Sequence, residues 1–188
     1  MKRVTVKVKV DDIAEFEKRM REIDLEFEPT LYQHDRIYVP RGFKRGMNLP
    51  RLIMRTEMRS VDEPAKYKLI LKRHIEDSGI EITDRSEVKD YAEIVNMLHQ
   101  LGFVLAAEVS RRRKRITLGE TSRIYLDKVD NLPGHYVKIE TALDENEKVS
   151  EVMEDLQRTM KLFHLPKKKI SRESYFEMIQ KNDIINAK

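Results

Sequence analysis

The chain has 188 residues, 37 of them Lys or Arg and 33 Asp or Glu, so 37% of it is charged while the formal net charge is only +4. That near-balance excludes a binder held to nucleic acid by bulk charge alone, and it moves the question to where the bases sit. Cysteine is absent, which excludes disulfides, thiolate metal sites and a cysteine nucleophile; with no long apolar run and no signal-peptide pattern, the expectation is a single cytoplasmic domain spanning residues 1–188 with no membrane partner.

In chain order, the stretch "VTVKVKV" at 4–10 alternates Val with Thr5, Lys7 and Lys9, the period of a strand with one apolar and one cationic face. Asp11 or Asp12 can cap a helix carrying Ile13, Phe16, Met20 and Ile23 on one face. Strands are predicted near 32–39, 51–58, 65–74 and 79–89, joined by hairpin-length links that favour antiparallel pairing. A second helix follows Asp90, with Glu93 placed for a capping box, a stripe of Ile94, Leu98 and Leu101, and Gly102 to stop it. Further strands fall near 104–118, 121–129 and 135–143, the last two separated by the turn signal "NLPGH" at 131–135. A third helix is predicted from about Asn146 to Phe163, and a short fourth over Ser174 to Ile179. The "KKK" at 167–169 reads as a solvated turn.

The alternation of the first strand recurs. Arg51 and Arg55 share a face, as do Lys66, Lys68 and Lys72, then Arg111, Arg113 and Arg115, then Arg123, Tyr125 and Asp127, then Tyr136, Lys138 and Glu140. Glu81, Thr83, Arg85 and Glu87 alternate with Ile80 and Ile82 in the same way. Pattern alone admits two architectures. In an open sheet the charged faces are solvated surface. In a closed barrel, the helices bury against the aliphatic faces outside, and the charged faces turn inward. An inward lining of desolvated cations is tenable only with an anionic guest, and phosphate oxygens suit Lys and Arg best.

Taken together, "VKVKVDDIAEFEKRM" at the start, "QHDRIYV" at 33–39, "LPRLIMR" at 49–55, "YKLILKR" at 67–73, "EVSRRRKRITL" at 108–118 and "IYLDKVDNLPGHYVKIE" at 124–140 resemble the CYTH superfamily over nearly the whole chain. That superfamily holds triphosphate tunnel proteins, including class IV adenylyl cyclases and thiamine triphosphatases. The resemblance implies an α+β fold: an eight-stranded antiparallel closed β-barrel, or tunnel, with helices packed outside. It implies a nucleoside, inorganic or thiamine triphosphate as ligand, with Lys7, Lys9, Arg51, Arg55, Lys72, Arg111, Arg113 and Arg123 as phosphate-binding candidates. A homodimer is compatible with it.

The family signature E-x-E-x-K reads here Arg3-Val4-Thr5-Val6-Lys7, keeping the lysine and losing both glutamates. In the family those glutamates help hold divalent metal. Arg85 and Lys138 also stand where carboxylates are expected, leaving Glu87, Asp127 and Glu140 as candidate ligands for one Mg²⁺ or Mn²⁺, or else as partners of lumen cations. Two readings stay open. If active, the chain is a metal-dependent triphosphatase or adenylyl cyclase; the alternative is a non-catalytic module that has lost the metal site and binds polyphosphate or RNA ends. The five histidines show no metal-ligand spacing, and there is no Ser-His-Asp order, phosphate-binding glycine loop or dinucleotide motif.

Overall fold

The structure is a computed structural model that describes residues 1–188 apart from 45, 46, 48, 76–79, 145, 146, 167, 168, 172, 187 and 188, with the backbone alone of 182–186. Eight strands, β1 (Lys2–Val10), β2 (Leu31–Pro40), β3 (Arg51–Met58), β4 (Lys66–Ile75), β5 (Ile80–Val88), β6 (Phe103–Leu118), β7 (Ser122–Val129) and β8 (His135–Ala142), pair antiparallel in the order β5-β4-β3-β2-β6-β7-β8-β1. The sheet closes on itself where β1 also pairs with β5, through Arg3↔Glu81 and Val4↔Ile80. Beyond that seam a two-residue strand, β9 (Ile170–Ser171), continues the wall by pairing with Lys7 and Val8. Closure satisfies edge hydrogen bonds that an open sheet of this size would expose.

Closure also decides which face is inside. Val4, Val6 and Val8 point outward into a core shared with Phe16 and Met20 of α1 (Ile13–Glu22) and Val152, Leu156 and Met160 of α3 (Val149–Leu162). On the far side, Tyr38 of β2 and Met54 of β3 pack against Leu98 of α2 (Tyr91–Gln100). The helices therefore cover the aliphatic side of the sheet, and the charged positions have only the bore to face. Asp12 caps α1 by accepting from the Glu15 amide at 2.9 Å, and Asp90 caps α2 by accepting from that of Glu93 at 2.9 Å. The helix stripes are shorter than their sequence suggests: Ile23 and Leu101 are the C-cap residues of α1 and α2 and are exposed, because each chain turns away there. The predicted start of the third helix at Asn146 lies outside the described residues, as do 167 and 168 of the lysine run and residue 79 at the predicted start of β5. No helix among the described residues is long and apolar enough to cross a membrane.

The last helix, α4 (Tyr175–Asn186), behaves differently from the other three. Tyr175, Phe176 and Ile179 at its start are buried against Ile37, Ile53, Ile70 and Val109, which are bore-facing residues of β2, β3, β4 and β6. The helix thus seals one mouth of the barrel and makes the bore a pocket open at the other end.

Candidate functional site: the cationic bore

The bore is a cavity of about 370 Å³. Among the described residues, twelve Lys and Arg line it against seven Asp and Glu. The lining follows the period of two along each strand, so residues 51, 55 and 57 of β3, 68 and 72 of β4, and 111 and 113 of β6 arrive together. Of the predicted phosphate ligands, Lys7, Arg51, Arg55, Lys72, Arg111 and Arg113 line the cavity. Lys9 and Arg123 share the inward register of β1 and β7 but lie outside the lining; Lys9 instead lays its stem against Gly134. Strand alternation gives the face a residue occupies but not its height along the axis.

Five of the seven lining acids are engaged by a cation, and so is Asp127 behind them. Asp35 accepts a bidentate pair from Arg55 (2.6 and 2.8 Å) and a third bond from Arg111 (2.8 Å). Glu57 takes Lys68 at 2.5 Å and the Gln33 amide at 2.6 Å, while Gln33 in turn accepts from Arg111 at 2.8 Å. Glu81 takes Lys72 at 2.8 Å. Asp127, wholly buried, is clamped by Arg113 through two 2.6 Å bonds and receives the Tyr175 hydroxyl at 2.7 Å. Glu140 is shared by Lys138 at 2.6 Å and by Arg3. Gln33, Asp35, Glu57, Arg85, Lys138 and Tyr175 are thus site residues that the candidate set did not contain. For Gln33, Asp35 and Glu57 the inward parity in "QHDRI" and "IMRTEM" is the signal that could have found them, and Arg85 and Lys138 carry the same alternation in their own strands.

Electrostatics follow from this packing. Burial works to raise the carboxyl of Asp127, but Arg113 outweighs it and holds the group below the ordinary carboxylate value. In Glu140 burial is likewise outweighed, by Lys138 and then Arg3. Tyr175 is pushed well above its normal pKa by burial and by the neighbouring Asp127 carboxylate. Lys72 is lowered to about 8, chiefly by burial, against the pull of Glu81. Lys7, Arg59, Lys66 and Arg85 each line the cavity with no hydrogen-bond or ion-pair partner among the described residues, and of these only Lys7 is buried. Arg85 is exposed at the open mouth, whereas Lys7 is only 6% exposed.

The metal candidates do not assemble. Asp127 and Glu140 spend their oxygens on Arg113, Tyr175, Arg3 and Lys138, and Glu87 is exposed at the mouth. Among the described residues no three His, Cys, Asp or Glu side chains converge as a metal cluster. A divalent ion needs free carboxylate oxygens, and fixed guanidinium and ammonium groups repel it, so this donor set does not fit one.

Buried ion pairs of this kind contribute little to stability relative to well-packed apolar residues, and commonly nothing. Fold and lumen together define a closed antiparallel barrel with a cation-rich, one-ended bore. The chain belongs to the CYTH domain family, whose model matches residues 1–175. Among solved structures it is similar to the PH1819 protein of Pyrococcus horikoshii (22% identity, 96% of this chain and 99% of that one, TM-score 0.82) and to PH1012 of the same organism (17%, 94% and 99%, 0.77). It is also similar to HpAC1 of Hippeastrum, a proposed adenylyl cyclase with a dominant triphosphatase activity (13%, 96% and 95%, 0.63). At these identities the likeness shows the shared fold alone. No curated protein matches the sequence.

Proposed function

We propose that the bore binds a triphosphate-bearing anion, with Arg and Lys side chains rather than a carboxylate-held metal supplying the counter-charge. The observation that carries this is the surplus of cations over acids in a one-ended cavity: among the described residues Arg55 and Arg111 both bond Asp35, Arg3 and Lys138 share Glu140, and Lys7 and Arg85 have no acid partner. A desolvated surplus of this kind costs free energy that an entering anion returns, through charge-assisted hydrogen bonds to its phosphate oxygens. Because α4 closes the far mouth, a phosphate chain enters by its end. The reading is one of binding rather than turnover, since the carboxylates that would organise Mg²⁺ or Mn²⁺ are committed elsewhere.

Thermal-shift titrations with tripolyphosphate, ATP and thiamine triphosphate, each with EDTA and with Mg²⁺ or Mn²⁺, test it. The expected result is stabilisation by at least one triphosphate that survives EDTA. Stabilisation only when metal is added, accompanied by product formation, would reject the metal-free reading in favour of an enzyme.

A further inference from the structure

Lys7 stands apart within the bore. The residue is buried and lines the cavity, and its ammonium group meets no hydrogen-bond or ion-pair acceptor among the described residues. Two like charges bracket it: Lys138 is its direct cross-strand partner, and Lys72 comes from β4. The acids within its field are Glu81 of β5 and Glu177 of α4, and neither bonds to it; Glu81 is held by Lys72, and Glu177 by Ser174. The Tyr175 ring lies 5.8 Å from the nitrogen. Burial first, then Lys138 and Lys72, push the pKa of Lys7 down to about 7, against the opposing pull of Glu81 and Glu177. A lysine that is desolvated, beside other cations and free of a carboxylate is an amine with its lone pair available near neutrality, the state in which lysines act as nucleophiles.

We propose that Lys7 is a covalent capture site for phosphorylated carbonyl compounds: the lumen cations hold the phosphate while the amine condenses with the aldehyde or ketone carbon. The free amine of Lys7 adds to the carbonyl carbon to give a carbinolamine. That intermediate expels its oxygen as water, using the two protons the nitrogen brought, and leaves a C=N bond with no external oxidant or reductant. The cavity, about 370 Å³, falls in the size range of small-molecule sites (about 300–1,000 Å³) and admits a single-ring or short-chain phosphate. This inference rests on the anion-binding reading of the same bore.

Pyridoxal 5′-phosphate is the probe: incubation with the full chain, borohydride reduction, and peptide mapping, with EDTA present throughout. Expected are one adduct per chain at Lys7, formed at least tenfold faster than at the exposed Lys18 and Lys161, with a rate that is half-maximal near pH 7. Tripolyphosphate should suppress it, and pyridoxal lacking the phosphate should react no faster than at surface lysines. Lys7→Arg should lose the adduct while still being stabilised by tripolyphosphate, which separates a lost nucleophile from a lost fold. Labelling spread over surface lysines, or a Lys7 rate that climbs only toward pH 10, overturns the proposal. Should tripolyphosphate bind while Lys7 stays unlabelled, the covalent inference alone fails; should tripolyphosphate not bind at all, the bore reading fails with it.

Discussion

Arg113→Met isolates the cost of the ion pairs inside the bore. Arg113 supplies two of the three hydrogen bonds that Asp127 receives, both at 2.6 Å, and Asp127 is wholly buried. The variant leaves a buried carboxylate with one neutral donor, the Tyr175 hydroxyl. Breaking a buried pair from one side costs about 3–5 kcal/mol. For a chain of this length each kcal/mol moves the melting temperature by about 2–4 °C, so the expected drop is about 6–20 °C. Thermal melts followed by circular dichroism at pH 7 read it directly. Arg158→Met, whose partners Glu154 and Asp155 are exposed, is the control and should cost under about 1 kcal/mol. The double change Arg113→Met with Asp127→Leu should recover most of the loss, because no orphaned charge remains. The sign with pH is also set. Asp127 has a lowered folded pKa, so its pairing stabilises above the unfolded carboxyl pKa and is lost as pH falls through the folded value. The gap between wild type and Arg113→Met should therefore narrow on acidification. A single variant as stable as the Arg158→Met control would refute the reasoning.

Other outcomes are expected from the same groups. Tripolyphosphate affinity should weaken as pH rises from about 7 to 9, because Lys7 (about 7) and Lys72 (about 8) must take up protons to pair with the anion; each such proton steepens the fall by up to about tenfold per pH unit, and calorimetry in buffers of different ionisation enthalpy counts them. Without ligand, stability should instead gain from Lys7 as pH rises from about 7 toward 10, since the unfolded chain holds a proton there that the folded one does not; urea titrations across that window check the sign. Asp12→Ala removes the oxygen that accepts the Glu15 amide and should cost about 1 kcal/mol by the same denaturation assay.

The barrel was legible in the sequence because strand period and face identity are local: all eight strands and the Asp12 and Asp90 caps can be read from neighbouring residues. Which face turns inward is not local. The alternation of "VTVKVKV" is the same in an open sheet, and only three helices with apolar stripes needing a wall decide it. Height along the bore is set by strand tilt and register, which explains why Lys9 and Arg123 carry the right parity yet miss the cavity. Asp35 and Glu57 carry the inward parity, but what they bond depends on partners across β2, β3, β4 and β6, contacts far apart in the chain. The entry of α4 into one mouth has no periodic signature: Tyr175 and Phe176 look like ordinary packing residues, and they become the floor of the site because of where the barrel ends.

The central claim is that the bore binds a phosphate chain through its own cations. Isothermal titration of tripolyphosphate into the wild-type chain and into Arg85→Ala, in EDTA, tests it most directly, since Arg85 faces the mouth and among the described residues has no paired acid to orphan. Saturable binding at one site per chain, weakened by roughly tenfold in the variant with unchanged melting temperature, is the predicted result. No heat of binding in EDTA, or identical affinities for the two chains, would contradict it.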